Sequence, residues 1–326
     1  MTPRLIAGIA ALLSSVSPTY AVDLERPDVK VFMDTMVQEH DYDRETLQNI
    51  LRQAEIKQKI VDLISKPAEG TLTWTDYRPI FMTKERIQAG AVFWHENRAA
   101  LEKVSCDTGV PIEIMVGIIG VETYFGRITG GHRVLDALAT LSFAYPPRSK
   151  FFRSELEHFL LLVREEGMQA TDAVGSYAGA MGRPQFMPSS YRAYAVDSTG
   201  DGKRDIWNNW TDVAGSIANY FLEHGWKTGE EVVAQATTGT NWSGLSPSNI
   251  LKPEDTVSSL SKKSVMFSTN LPNDDIAQLI TLDGANGSEY WVGFHNFFVI
   301  TRYNHSAMYA LAVHQLGQEI ALEVGQ

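Results

Sequence analysis

Apolar residues recur at three- and four-residue spacing early in the chain, in Leu47-Ile50-Leu51 and again in Ile60-Leu63-Ile64, and this period predicts helices from Asp28 to about Ser105. Asp43 stands where a helix through Leu51 needs its N-cap, since a carboxylate there can accept N–H groups that the first turn leaves unpaired. Pro67 to Thr73 breaks the pattern, and a second long helix is expected from about Lys84 to Val104. Pro111 occupies a good first helical position, and Ile112 to Glu122 follows as a helix that is apolar on nearly every side. Further helices are expected at Leu135–Phe143 and Phe151–Glu165. Another runs from a Thr211 cap through His224 and is closed by Gly225.

After Gly225 the period shortens. Glu231–Thr237, Ser264–Ser268, Gln278–Leu282 and Tyr290–Thr301 are β-branched or aromatic runs separated by Pro, Asn and Gly. The pairs Asp283-Gly284 and Asn286-Gly287 mark turns, so this stretch predicts a small antiparallel sheet. Helical spacing returns from Asn304. The expected fold class is α+β, mainly α. A helical domain covers 22–105, a core 106–229 and a small antiparallel β-domain 230–301, and a C-terminal helix over 302–326 returns to the core.

The first 21 residues follow a different logic. Arg4 is a lone cation, Leu5 to Leu13 form a short apolar run, and Thr19-Tyr20-Ala21 puts small residues around a cleavage point. The run is too short to span a bilayer and reads as a removable signal peptide without a lipid-attachment cysteine. The expected location is therefore the periplasm, with no transmembrane segment. Cys106 is the only cysteine among 326 residues, so no intramolecular disulfide can form and stability must come from the core. Lys and Arg total 28 against 39 Asp and Glu, a net charge of −11. That balance argues against nucleic acid as a partner and suits an uncharged polymer held by hydrogen bonds and stacking.

The helix that ends at Glu122 carries the most informative residue. Ile114, Met115, Val116, Ile118, Ile119 and Val121 should bury it, and Tyr124 and Phe125 follow at once. A carboxyl group held there loses hydration, which disfavours its charged form and raises its pKa, as protonating a leaving oxygen requires. Taken alone, Glu122 reads more readily as the first solvated residue after a core helix, since helix ends commonly carry a charge. The stretch GSYAGAMG, from Gly175 to Gly182, lets backbone approach a ligand closely and leads into Gln185, Phe186, Met187 and Pro188. Amides beside aromatics suit a sugar groove, although close helix packing through small residues would use the same composition.

The stretches GIIGVETYFGRITG, RVLDALATLSFAYP and GSYAGAMGRPQFMPSSYRAYAVD resemble the membrane-bound lytic murein transglycosylase B family, glycoside hydrolase family 103. GDGKRDIW, ANYFLEHGW and VITRYNHSAMYALAV continue the resemblance in family order, from about Leu101 to Leu316. Without a lipid-attachment cysteine, the chain resembles the soluble periplasmic members. The resemblance implies a lysozyme-like catalytic core. Glu122 matches the single catalytic glutamate, and Ser176, Gln185, Phe186, Tyr220, Tyr303 and Asn304 match positions lining the glycan groove. Close relatives carry two consecutive arginines where this chain reads Tyr145-Pro146-Pro147-Arg148. Arg148 alone is left to meet an acidic peptide stem or a lactyl carboxylate.

The implied substrate is peptidoglycan, cut between N-acetylmuramic acid and N-acetylglucosamine with 1,6-anhydromuramic ends as product. Glu122 would act as acid and then base, the substrate's own acetamido group would stabilise the cationic centre, and Ser176 and Tyr303 would orient it. No cofactor is needed for that reaction. Cell-wall synthesis or lysis proteins are the expected protein partners.

In DSTGDGKRD, Asp197, Thr199, Asp201, Lys203 and Asp205 occupy positions 1, 3, 5, 7 and 9 of an EF-hand-type loop, with Gly202 at the sharp turn. Position 7 ligates through its carbonyl, so lysine is tolerable there. Asn208 replaces the usual bidentate Glu at position 12, and Asp212 matches the family's closing carboxylate. A structural Ca²⁺ is expected. Two rivals remain at the level of sequence. A hydrolytic muramidase would need a second carboxylate, for which Asp136, Glu155 and Glu157 are candidates. A non-catalytic peptidoglycan-binding envelope protein would keep the groove and tolerate loss of Glu122.

Overall fold

The structure, a computed structural model, describes residues 19–66, 72–239, 242 and 251–325. The apolar run of the expected leader and most of the Pro67–Thr73 break lie outside the described residues. The chain opens with β1 (Thr19–Ala21), α1 (Pro27–His40), α2 (Arg44–Arg52), β2 (Glu55–Lys57) and α3 (Gln58–Ile64). Next come α4 (Trp74–Phe81), α5 (Lys84–Glu96), α6 (Arg98–Thr108), α7 (Ile112–Thr123), β3 (His132–Arg133) and α8 (Val134–Ala144). They are followed by α9 (Ser149–Glu165), β4 (Val174–Gly175), α10 (Pro188–Tyr194), α11 (Trp210–Glu223) and β5 (Val233–Thr238). The chain closes with β6 (Asp255–Thr256), α12 (Val257–Lys262), β7 (Val265–Met266), β8 (Ile276–Gly284), β9 (Gly287–Phe294), α13 (His295–Tyr303) and α14 (Ala307–Val324). It is a mainly helical α+β chain, and no helix among the described residues is long and apolar enough to cross a membrane.

The greasy helix α7 is central. Met115, Val116, Ile118 and Ile119 are fully buried, and α14 packs along it with α5, α6 and α11 around the rest. The approach of α7 and α14 needs glycine on both sides. A Cβ on Gly117 would sit 2.4 Å from the Val313 carbonyl, and one on Gly317 would sit 2.1 Å from the Glu113 carbonyl. Two backbones this close leave no room for a methyl group.

A five-stranded antiparallel sheet, in the order β6-β8-β9-β5-β7, stands beside this core. The β8–β9 hairpin turns through Ala285 and Asn286, with Gly284 opposite Gly287, where the Asp-Gly and Asn-Gly pairs locate a turn. One face of the sheet sends Ile280 and Leu282 into the main core, and the other forms a smaller core of Leu279, Val292, Val257 and Leu260.

The elements depart from the sequence pattern in three places. The long helix expected from Lys84 breaks at Asn97, where the backbone leaves helical geometry and the side-chain amide donates to the Phe93 carbonyl at 2.9 Å. The cap of α11 is Asn209 and not Thr211, since Asn209 Oδ1 accepts from the N–H groups of Thr211 and Asp212. The strand expected over Tyr290–Thr301 stops at Phe294, and α13 takes the remainder. Asn296 fixes that start: its side chain accepts from the Lys227 N–H at 2.9 Å and donates to the Lys227 and Glu230 carbonyls at 2.8 and 3.0 Å.

Candidate active site

Glu122 is half-buried in the last turn of α7. Tyr124 and Phe125 then take left-handed backbone, with φ of 50° and 59°, where bulky side chains are strained. Packing holds them there. Phe125 stacks on Phe93 with ring centres 5.5 Å apart, and Tyr124 lies between the guanidinium groups of Arg86 at 4.5 Å and Arg127 at 5.0 Å. Thr123, fully buried, brings its hydroxyl within 3.2 Å of the Arg183 carbonyl and accepts from the Gly126 N–H. The end of α7 is thereby tied to the segment 175–187.

That segment is a compact loop. β4 pairs with β3, and single bridges join Met181 to Gly175 and to Phe186. Ser176 Oγ accepts from the N–H groups of Ala178 and Ala180, at 3.2 and 3.0 Å, which leaves its own proton to donate. Gln185, at φ 54°, donates from Nε2 to the Thr129 and Gly182 carbonyls. Phe186 is only 2% exposed and lies against Tyr220 and Tyr303, so it underlies those rings rather than presenting a face of its own.

The partner of Glu122 comes from the far end of the chain. Tyr309, buried in the first turn of α14, donates its hydroxyl to Glu122 Oε1 at 2.5 Å. Tyr303 stacks almost parallel to Tyr309, 13° between planes, and donates to the Pro184 carbonyl at 2.6 Å. Burial first, and the neighbouring Glu122 charge second, push both phenols well above their ordinary pKa. Both stay protonated, hence donors, throughout the working range. Tyr220 packs on Tyr303 with centres 4.9 Å apart and donates to the Arg302 carbonyl at 2.6 Å. Asn304 follows in extended backbone, its side-chain amide making no hydrogen bond among the described residues.

The structure thus brings Tyr220, Phe186 and Tyr303 together next to Tyr309 and Glu122, with Ser176 and Gln185 on the loop that Thr123 anchors. Arg148 is exposed on a 3₁₀ turn, and its guanidinium stacks over Phe151 at 4.5 Å. Sequence reasoning missed Tyr309, Thr123 and the Arg86–Tyr124–Arg127 stack. Only Thr123 had a local signal, as the polar neighbour of Glu122 in an apolar helix.

The three other carboxylates are engaged elsewhere. Asp136, with no exposure, bonds Lys57, Arg133 and the Glu55 N–H. Burial by itself would raise its pKa, but those bonds bring it below the ordinary value. Glu155 holds the N–H and hydroxyl of Ser189, and Glu157 pairs with His40 at 2.9 Å.

On the loop after α10, carboxylate oxygens of Asp197, Asp201 and Asp212 lie within 4.8 Å of one another. Asp212, fully buried in α11, accepts from the N–H groups of Ser198, Thr199 and Asp205, so it closes the loop from outside it. Thr199 Oγ1 lies 3.1 Å from Asp197, while the exposed Lys203 meets the loop through its N–H to Asp201. Asp205 turns away to accept from Trp207 and Asn208. Three hard, converging oxygen donors fit a cation such as Ca²⁺.

A family model described as transglycosylase SLT domain matches residues 25–318. The chain is 45% identical over 307 residues to membrane-bound lytic murein transglycosylase B of Escherichia coli (strain K12), across 91% of this chain and 83% of that protein. Soluble lytic transglycosylase SltB1 from Pseudomonas aeruginosa superposes with a TM-score of 0.86 at 47% identity, covering 92% of this chain and 100% of the other. Escherichia coli lytic transglycosylase Slt35 in complex with calcium gives a TM-score of 0.85 at 44% identity, over 94% and 96% of the two chains.

Proposed function

This chain belongs to the lytic murein transglycosylase B family, an enzyme acting on peptidoglycan, and from that premise we propose that Glu122 is its single catalytic acid and base. The carboxyl proton of Glu122 passes to the oxygen between muramic C1 and the N-acetylglucosamine that leaves. As the C1–O bond breaks, the carbonyl oxygen of the 2-acetamido group closes onto C1 and spreads the positive charge, a substrate-assisted route that needs no second carboxylate. The muramic C6 hydroxyl then attacks C1, the acetamido oxygen departs, and the hydroxyl proton returns to Glu122. The product is a 1,6-anhydro end, and the acid is regenerated without consuming water.

The single observation behind this reading is the hydrogen bond from Tyr309 to Glu122, in a setting where Asp136, Glu155 and Glu157 are each bound to other partners. A phenol that stays protonated steadies the carboxylate formed after the first step. Tyr303 and Ser176 hold the acetamido group in this proposal, and Tyr220 and Asn304 receive the neighbouring sugars. The enzyme works in the periplasm once the leader ending at Ala21 is removed. A calcium ion would be held by Asp197, Asp201 and Asp212 with Thr199 and the Lys203 carbonyl. It would supply loop rigidity and take no part in bond cleavage.

Digestion of purified sacculi tests the reaction. Released muropeptides are expected to be one water lighter at the muramic end than lysozyme products. Glu122→Gln should retain sacculus binding while losing at least ~10²-fold in turnover. Fully hydrated muramic ends would sink the proposal, as would a Glu122→Gln enzyme that still cuts at the wild-type rate.

A further inference from the structure

The last turn of α7, where Glu122 stands, is an unfavourable place for a carboxyl group. The carbonyls that a helix leaves free at its C-terminus carry partial negative charge, so an ionised glutamate there meets like charge. Those carbonyls also need donors. In a continued helix the Tyr124 N–H would reach the Gly120 carbonyl, but Tyr124 takes left-handed backbone and sends its N–H to the Ile119 carbonyl. The Phe125 N–H goes to the same oxygen at 3.2 Å. The donor for Gly120 comes from another helix: Arg86, in the first turn of α5, reaches its carbonyl with Nη1 at 2.6 Å. A cation in the first turn is itself poorly placed with respect to its own helix. Each of the two helix ends thus carries the charge that the other lacks.

The guanidinium is held firmly. It is half-buried, and the loss of hydration brings its pKa below the ordinary arginine value. It lies over the Tyr124 ring at 4.5 Å and the Phe81 ring at 5.3 Å. The Thr83 hydroxyl accepts from the Arg86 N–H at 3.2 Å and fixes the start of α5 beneath it. Phe125 closes the same turn by packing over Gly120, where a Cβ would come within 2.9 Å of its ring.

From this geometry we infer that Arg86 is a positioning residue for the reaction: by binding the Gly120 carbonyl and covering Tyr124, it holds the last turn of α7 so that Glu122 faces its substrate. The inference rests on the reading of Glu122 as acid and base. Arg86 acts through the turn, whereas Tyr309 of α14 bonds the carboxyl directly and Tyr303 of α13 feels its charge. Arg127, at 5.0 Å from the Tyr124 ring centre, is the other cation at this helix end. Because the Arg86 charge rests on a carbonyl two residues before Glu122, it also offsets the negative helix end. Removing that charge makes the carboxyl harder to ionise.

Two variants separate the fork from the charge. Arg86→Met removes both, and Arg86→Lys keeps a cation without the flat fork that spans carbonyl and ring. Each is assayed for kcat and KM on glycan strands across pH. The Glu122 carboxyl is also titrated directly by ¹³C NMR, its signal identified by its absence from Glu122→Gln. Arg86→Met should lower kcat about ten-fold with KM changed by less than about two-fold. It should also raise the Glu122 titration and the alkaline limb of kcat together, by roughly half to one pH unit. Arg86→Lys should return the titration to its wild-type position with kcat still about three-fold low. A Met variant that loses rate with an unmoved titration would make Arg86 a packing residue and overturn the inference. A loss carried by KM, or wild-type turnover, would do the same. Should Arg86→Met fail to fold, Arg86→Lys decides, and wild-type kcat there overturns the inference. If Glu122→Gln cuts at the wild-type rate, the catalytic proposal fails, while the titration in Arg86→Met still reports whether Arg86 acts on that carboxyl.

Discussion

At the scale of single residues, the proposed alternation of Glu122 between acid and base would depend on what its carboxylate meets. A donated hydrogen bond favours the ionised form of a carboxyl group, whereas apolar surroundings favour the protonated one. Tyr309 supplies the first influence and the buried body of α7 the second. Tyr309→Phe keeps the ring and removes only the donor. On the proposed route it should shift the alkaline limb of the kcat–pH profile upward and lower kcat by roughly 10-fold or more, with KM almost constant. A rate loss with an unmoved limb would assign Tyr309 to packing alone. Glu122 was legible in the sequence because a carboxylate at the end of so apolar a helix is an anomaly. Tyr309 was not, because its partner is 187 positions away and no local period links them. Phe186 shows the opposite failure. Its residue type suggested a stacking face, but burial decides that, and only tertiary packing reveals burial.

At the scale of elements, hydrophobic period located α7, α8, α9 and the β8–β9 hairpin within a few residues, since each buries the face its pattern prescribes. It failed at α13. The run His295–Thr301 is rich in aromatic and β-branched residues and has the local preference of a strand, but Asn296 satisfies three backbone groups of the preceding loop and fixes a helix start there. The cost of such long-range placement appears on α14. His314 is half-buried with its Nδ1 shielded from solvent, and the loss of hydration pulls its pKa from 6.5 down to about 4. Its Nδ1 has no hydrogen-bond partner among the described residues. The native state therefore refuses a proton that the unfolded chain accepts. Above pH 6.5 the side chain is neutral in both states and stability is complete. As pH falls from 6.5 to about 4 stability is lost, and below that the loss levels off. The whole loss amounts to about 3 kcal/mol. His314→Leu, which does not titrate, should remove that share of the pH dependence. Melting temperatures of the two proteins between pH 7 and pH 4 would show the curves separating. Parallel curves would mean that water or a local opening solvates the imidazole.

At the scale of the whole molecule, the parts are clamped by charge as well as by core. Asp136 on α8 fixes β2 through Lys57 and the Glu55 N–H, and Arg26, Asp28 and Arg153 join the start of α1 to α9. The ties that cross between elements could not be read from spacing, because Lys57 and Glu55 lie about 80 positions from Asp136 and Asp28 lies 125 from Arg153. The acidic loop could be read, because Asp197, Thr199 and Asp201 are nearly contiguous. Only its closing member, Asp212, sits outside the contiguous run, on α11. Bringing Asp197, Asp201 and buried Asp212 together without a counter-ion sets like charges against each other at the junction of α10 and α11. A bound Ca²⁺ would remove that repulsion and couple the loop to the core through Asp212. For a dissociation constant on the order of 10⁻⁴–10⁻³ M, about 10 mM Ca²⁺ should stabilise the fold by roughly 1–3 kcal/mol, a rise of a few degrees in Tm. Asp201→Asn should abolish most of that rise. Lys203→Ala should preserve it, because position 7 ligates through a backbone carbonyl that the substitution leaves in place. The comparison discriminates between a seated ion and general screening of a −11 chain, since screening would raise Tm equally in all three proteins and magnesium would serve as well as calcium.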